Sequence, residues 1–168
     1  MQGAFDSVSH TAVLYKLGEM GIKGKLLDWL QSYLQDRNFR VMFEGVESSL
    51  FNAKSGVPQG GILSPLLFNV QMSDLPQNPN IQVSVYADDL AIYCTGTTFQ
   101  EAKVNLQNYL DVILNWTVKW NQKINADKSK AMYFTNQPRM EHSLYFNNDP
   151  IAFVDTYKFL GIIIDAPV

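Results

Sequence analysis

Asp88 and Asp89 stand side by side between two short apolar runs, one ending at Tyr86 and the other beginning at Leu90. Two adjacent carboxylates on a tight turn repel each other and gain nothing in packing. A divalent cation relieves that repulsion, and magnesium takes one or two carboxylates together with substrate phosphates. The same pair also has a purely structural use, because aspartate is a good turn residue; the apolar flanks and the lack of a glycine in the turn weigh against it. A second candidate is Ser55-Gly56-Val57-Pro58-Gln59-Gly60-Gly61-Ile62-Leu63-Ser64-Pro65. A loop of this composition can bring backbone N–H groups and the Gln59 amide close to a flat or anionic ligand. It suits equally well an ordinary entry into a helix.

The elements that must position these groups can be read from periodicity. Residues 9–19 and 24–36 have helical patterns, with Leu26, Leu27, Trp29, Leu30, Tyr33 and Leu34 near 3.6 spacing and Gly21 and Gly24 between the segments. Arg40 to Phe43 and Leu50 to Ala53 read as strands around a Glu44-Gly45 turn. Ser64 to Asp74 reads as a helix with Ser64 as its N-cap and Pro65 at its first position. Ile81, Val83 and Val85 alternate with polar residues, and Leu90 to Cys94 follows, which makes a β-hairpin carrying both carboxylates at its tip. Phe99, Ala102, Leu106, Tyr109, Leu110, Ile113, Thr117 and Trp120 trace one face of a long helix. Short strands are expected around Ala131 to Thr135, Ser143 to Phe146 and Ile151 to Val154, with a turn over Asn147 to Pro150. Helices and antiparallel strands mix without a βαβ rhythm, so the class is α+β.

The 168 residues suffice for one domain and exclude a large multidomain enzyme. Thirteen Lys and Arg against 16 Asp and Glu leave a net charge of -3, so the chain by itself is expected to hold nucleic acid only weakly. Cys94 stands alone and forms no internal disulfide, and MQGAFDSVSH does not read as a signal peptide. The longest apolar stretch, near Phe159 to Ile164, falls far short of a membrane span. An intracellular location, in nucleus or cytoplasm, and no membrane partner are expected.

The segment SGVPQGGILSPLLF followed by YADDLAIY resembles the reverse transcriptases of non-LTR retrotransposons, the LINE type. AFDSVSH at 4–10 resembles the family's first palm motif, INADKSKAMYF at 124–134 its fourth and YKFLGIIID at 157–165 its fifth. The resemblance covers nearly the whole chain, and the order of the motifs is more specific than any one of them. It implies a polymerase palm, an antiparallel sheet with helices packed on one face. It also implies RNA-directed DNA synthesis by two-metal nucleotidyl transfer with Mg2+ (or Mn2+), on an RNA template, a DNA primer and a deoxynucleoside triphosphate. Residue by residue, Asp88 matches the direct metal ligand and Asp89 its support. Gln59 and Gly60 match the loop that holds the incoming nucleotide, and Phe5 matches the aromatic steric gate against a 2′-hydroxyl. Lys128 matches a lysine near the triphosphate, where a cation would offset charge on the leaving pyrophosphate. Gly3 and Ala4 match backbone contacts to the triphosphate.

One departure stands out. The family's first motif reads D-x-x-x-A-F-D, and counting back from Phe5 places its metal-binding aspartate immediately before Met1. Asp6 follows the gate and corresponds to a different position, so the resemblance does not make it a metal ligand. The expectation is therefore a partial domain over 1–168, without the first palm strand, fingers or thumb. Its alternative reading is a catalytically inert remnant or binding fragment of a longer polymerase.

Overall fold

The computed structural model describes residues 3–135 and 143–166. They divide into two compact units, Gly3–Asp74 with Trp120–Gln122, and Leu75–Lys119 with the residues from Lys123 onward. Met1, the residue next to the position of the family's first aspartate, lies outside the described residues.

The first unit opens with a turn in which the Ser7 N–H donates to Gly3 O at 2.8 Å. Helix α1 follows at His10–Glu19, where Ser9 Oγ accepts the Ala12 N–H as N-cap. Ala12, Val13, Lys16 and Leu17 form its buried face. Helix α2 spans Lys25–Leu34 after Gly24, whose φ of 60° suits a residue without a side chain. The hairpin around Glu44-Gly45 forms as expected, but its strands differ from the sequence reading. β1 (Asn38–Phe39) pairs with β4 (Phe51–Asn52), while β2 (Met42–Phe43) pairs with β3 (Val46–Glu47). The tight turn sets Phe43 directly opposite Val46, so the nearest partner of 42–43 is 46–47 rather than 50–53. Helix α3 spans Ser64–Met72, and its N-cap is Leu63 rather than Ser64. The Ser64 hydroxyl donates instead to Pro58 O at 2.5 Å, a long-range bond that wins over local capping.

A charged group is buried in this unit. Lys16 is only 4% exposed; its ammonium donates to Gln71 O and to Asp74 Oδ1 and lies 4.2 Å from the centre of the Trp120 ring. The Trp120 indole donates to the other Asp74 oxygen at 2.8 Å. Beside this satisfied cluster, the Gln71 side-chain amide is fully buried with no hydrogen-bond partner among the described residues. The loop over 55–57 lies directly on the 5–8 turn. Gly56 N donates to Val8 O and Val57 N to Phe5 O, each at 2.8 Å. Gly56 has a φ of +90°, and a Cβ there would stand 2.9 Å from Asp6 O and 3.0 Å from Asp6 Cα.

In the second unit, β5 (Gln82–Tyr86) and β6 (Asp89–Tyr93) form an antiparallel hairpin whose register runs from Gln82 opposite Tyr93 to Tyr86 opposite Asp89. Helix α4, Phe99–Trp120, begins behind Thr97 and Thr98. Thr98 Oγ1 accepts the Glu101 N–H, and the Glu101 carboxylate accepts both the Thr97 N–H and hydroxyl, a variant of the capping box. These bonds hold the Glu101 carboxyl below its ordinary range. The buried face of α4 is Tyr109, Leu110, Ile113, Trp116 and Thr117; Trp116 was absent from the expected stripe. Burial raises the Tyr109 phenol, which donates to Pro76 O at 2.6 Å. Strand β7 is confined to Lys130–Ala131, shorter than the run expected to Thr135, and pairs in parallel with β9. β8 (Leu144–Phe146) and β9 (Asp149–Phe153) close a hairpin over Asn147-Asn148, both at positive φ. The Gln107 amide pairs with both backbone groups of Tyr145, tying β8 to α4. The last hairpin, β10 (Thr156–Phe159) with β11 (Ile162–Asp165), turns at Leu160-Gly161.

The class is therefore α+β. The strands are spread over small separate sheets rather than one continuous one, because most pair only with a hairpin neighbour.

Three stability outcomes follow from these contacts. Gly56→Ala is expected to lower the unfolding free energy by about 2–3 kcal/mol, since positive φ and a backbone clash add; a denaturant midpoint equal to wild type would contradict it. Gln71→Met removes an unsatisfied buried amide at nearly constant volume and should stabilise by about 1–2 kcal/mol by the same measurement. Glu101 has a lowered carboxyl in the folded state, so its stabilisation is full above the unfolded value of about 4.3 and is lost as pH falls through the folded one. The melting-temperature gap between wild type and Glu101→Gln should thus be present at neutral pH and close in strong acid.

Candidate active site

The carboxylates sit on the β5–β6 hairpin. Its two central turn residues are Ala87 and Asp88, and Asp89 is the first residue of β6, cross-strand from Tyr86. The sequence reading set both aspartates in the turn; the register puts only Asp88 there. Ala87 takes a φ of 49°, a left-handed conformation that costs a residue with a Cβ about 1–2 kcal/mol. Strain of this kind persists where surrounding structure or function demands it. Cross-strand partners share a face, so Asp89 lies with Tyr86, Ser84, Ala91, Gln82 and Tyr93, while Val83, Val85, Leu90 and Ile92 form the other, apolar face. Asp88 and Asp89 are both exposed. Hard carboxylate oxygens on adjacent residues fit a hard divalent cation that completes its shell with water and phosphate. Among the described residues there is no group of three or more His, Cys, Asp or Glu able to hold a metal ion. The pair therefore fits a share of a metal's ligands and not a whole site.

Lys128 lies in the same unit as the carboxylates, exposed, on a turn organised by Asn125, whose Oδ1 accepts the Lys128 N–H at 3.1 Å. Its carbonyl accepts from the Tyr157 hydroxyl at 3.4 Å.

The remaining candidates lie in the first unit and are brought together there. Phe5 is half-buried, and its ring stacks on Phe68 of α3 with centroids 5.3 Å apart and planes at 25°. The Gly3 and Ala4 carbonyls both accept from Ser7, and Ala4 is buried. The buried Gln122 amide brackets the same turn, donating to Ser7 O at 3.0 Å and accepting from the Ser7 hydroxyl at 3.3 Å. Gln59 and Gly60 are exposed at the crest of the loop. A Cβ on Gly60 would meet nothing within 4 Å, so the backbone there is open to approach. Gln59 Nε2 donates to Asp6 Oδ1 at 3.3 Å, Ser55 Oγ donates to Asp6 O at 3.0 Å, and His10 Nε2 lies 2.7 Å from Gly56 O.

Phe68, Gln122 and His10 are not singled out individually by the sequence. Only the Ser55-Gly56 step pointed toward them, since a glycine after a serine in a loop permits a close backbone approach that a neighbour must fill.

The sequence matches the family described as reverse transcriptase (RNA-dependent DNA polymerase) over residues 1–164. It is 36% identical over 173 residues to the RNA-directed DNA polymerase from mobile element jockey of Drosophila funebris, an alignment covering 98% of this chain and 19% of that protein. It is 30% identical to the probable RNA-directed DNA polymerase from transposon X-element of Drosophila melanogaster, covering 96% of this chain and 18% of that one. A third relative is the Pol polyprotein of the type-2 retrotransposable element R2DM of Drosophila melanogaster, 29% identical over 95% of this chain and 16% of its own length. The chain thus spans about a fifth of the length of the curated relatives it matches. With its loop, aspartate pair and flanking motifs all inside the matched span, this chain belongs to the reverse transcriptase (RNA-dependent DNA polymerase) family.

Proposed function

We infer that the chain is the palm portion of an RNA-directed DNA polymerase of a non-LTR retrotransposon, working on an RNA template, a DNA primer and deoxynucleoside triphosphates inside the cell. The observation that carries this reading is the adjacent Asp88 and Asp89 on a strained, solvent-exposed turn within a chain of this family.

In that reaction Asp88 would be a direct ligand and Asp89 a supporting one for Mg2+ or Mn2+, with further ligands from substrate phosphates and from a carboxylate beyond this pair. Bound divalent ions supply charge stabilisation for the attacking and leaving oxygens of an in-line displacement. The chain's own groups bind and select the nucleotide. Phe5, held by Phe68, would meet a 2′-hydroxyl with an aromatic edge that cannot easily yield, because a stacked ring resists displacement. Gly60 lets the backbone approach the nucleotide closely, and Gln59 adds an amide. Gly3 and Ala4 would lie along the triphosphate, and Lys128 would offset its growing negative charge. The chain's net charge of -3 leaves the long-range grip on nucleic acid to basic groups outside this span.

In primer extension by the polymerase that carries this domain, Asp88→Ala should reduce kcat by at least about a hundredfold. DNA synthesis at the wild-type rate would overturn the assignment, as would synthesis that survives removal of divalent cations by a chelator.

A further inference from the structure

Gln59 is the exposed amide at the crest of the 55–61 loop, and an amide can meet a ligand as donor or acceptor depending on which end faces it. In this structure that choice is constrained. Gln59 Nε2 donates to Asp6 Oδ1 at 3.3 Å. Turning the amide over would point its carbonyl oxygen at a carboxylate, which repels it. Asp6 is itself held from two sides. Its carbonyl accepts the Ser55 hydroxyl at 3.0 Å, and Gly56 packs so tightly on its backbone that no side chain fits between them. Phe5 just before it and Val8 two residues after it are held as well, through the Val57 N–H and the Gly56 N–H. Asp6 therefore sits on a turn held by backbone hydrogen bonds, while its side chain reaches an exposed residue.

We propose that Asp6 is a positioning residue for the nucleotide site: it takes the Gln59 N–H and so presents the Gln59 carbonyl oxygen as a hydrogen-bond acceptor to the incoming nucleotide. This deepens, and rests on, the polymerase reading given above. The nucleotide groups able to donate to that oxygen are sugar hydroxyls and base amines. Phosphate oxygens only accept, and a carboxylate beside the amide repels them. The Asp6–Gln59 pair thus offers the nucleoside part of the substrate an acceptor oxygen, beside the second Nε2 N–H, which can still donate. No metal ligation by Asp6 is involved.

The test has a kinetic arm and an arm independent of catalysis. In primer extension by the polymerase carrying this domain, Asp6→Asn is expected to raise KM for the deoxynucleotide about five- to tenfold with kcat within about twofold, the size expected for one charge-assisted hydrogen bond. Gln59→Glu should be at least as harmful, because it sets two carboxylates against each other. Asp6→Asn combined with Gln59→Glu restores a donor–acceptor pair with the roles exchanged, and should recover much of the lost KM. Additive losses in the double variant, or an unchanged KM in Asp6→Asn, overturn the proposal, since a merely structural Asp6 predicts additivity. A chain-terminating 2′,3′-dideoxynucleotide separates the two donor classes. If its KM is insensitive to Asp6→Asn, the donor is a sugar hydroxyl; if it is raised as for the normal substrate, the donor is a base amine. Both outcomes require the acceptor role. In the 168-residue chain, the Gln59 side-chain amide protons observed by NMR should move upfield in Asp6→Asn, and no movement refutes the contact. Wild-type polymerase without any DNA synthesis would overturn the polymerase reading, while the NMR arm still judges the pair.

Discussion

The first unit depends on one place where two backbones touch. Gly56 lies against Asp6 so closely that a single added carbon would overlap the Asp6 carbonyl. That approach lets the Gly56 and Val57 amides reach Val8 and Phe5, and it brings Ser55 to the carbonyl and Gln59 to the carboxylate of the same aspartate. Phe5 and Gln59 are far apart in sequence, yet their separation in space is governed by backbone hydrogen bonds rather than by side-chain packing. Backbone bonds carry little rotational freedom, so the Phe5 ring and the Gln59 amide are placed with less slack than two exposed side chains would otherwise have. The Phe5–Phe68 stack and the Ser64–Pro58 bond then fasten the two ends of the arrangement to α3.

Much of this was legible in the sequence wherever a short-range rule governs. The spacing of apolar residues located α1, α2 and α4, and the alternation around Val83 and Val85 located the carboxylate hairpin, because periodicity reports which side faces a core. The rules failed where a distant partner decides. Ser64 has the residue type of an N-cap, but its hydroxyl is taken by Pro58 O. Trp116 was left out of the α4 stripe although it is buried. The strand expected to reach Thr135 stops at Ala131, because only its first residues find β9 to pair with. The candidate site residues came from family motifs, not from local rules. Asp6 could be named only as a residue with no metal role, since nothing local says that it faces Gln59.

Lys16 shows the opposite balance between charge and packing. A buried ammonium costs several kcal/mol in desolvation unless nearby groups compensate it, and here a carboxylate, a carbonyl and an indole face do so. The cluster joins α1 to the residues just after α3 and to Trp120. The Gln71 side-chain amide next to it finds no such compensation among the described residues.

The strand connections carry a last consequence. Apart from the parallel β7–β9 pair, every ladder joins strands on either side of a single turn or nested loop. Such wiring closes short loops first and leaves few long-range strand pairings to be won, which favours rapid formation of each hairpin. It also means that a hairpin can open without dismantling its neighbours. The turn bearing Asp88 closes a ladder made by β5 and β6 alone, and fraying of that ladder is a local opening equilibrium. Occupancy by a bound ion would act on that local equilibrium before it acted on the fold as a whole.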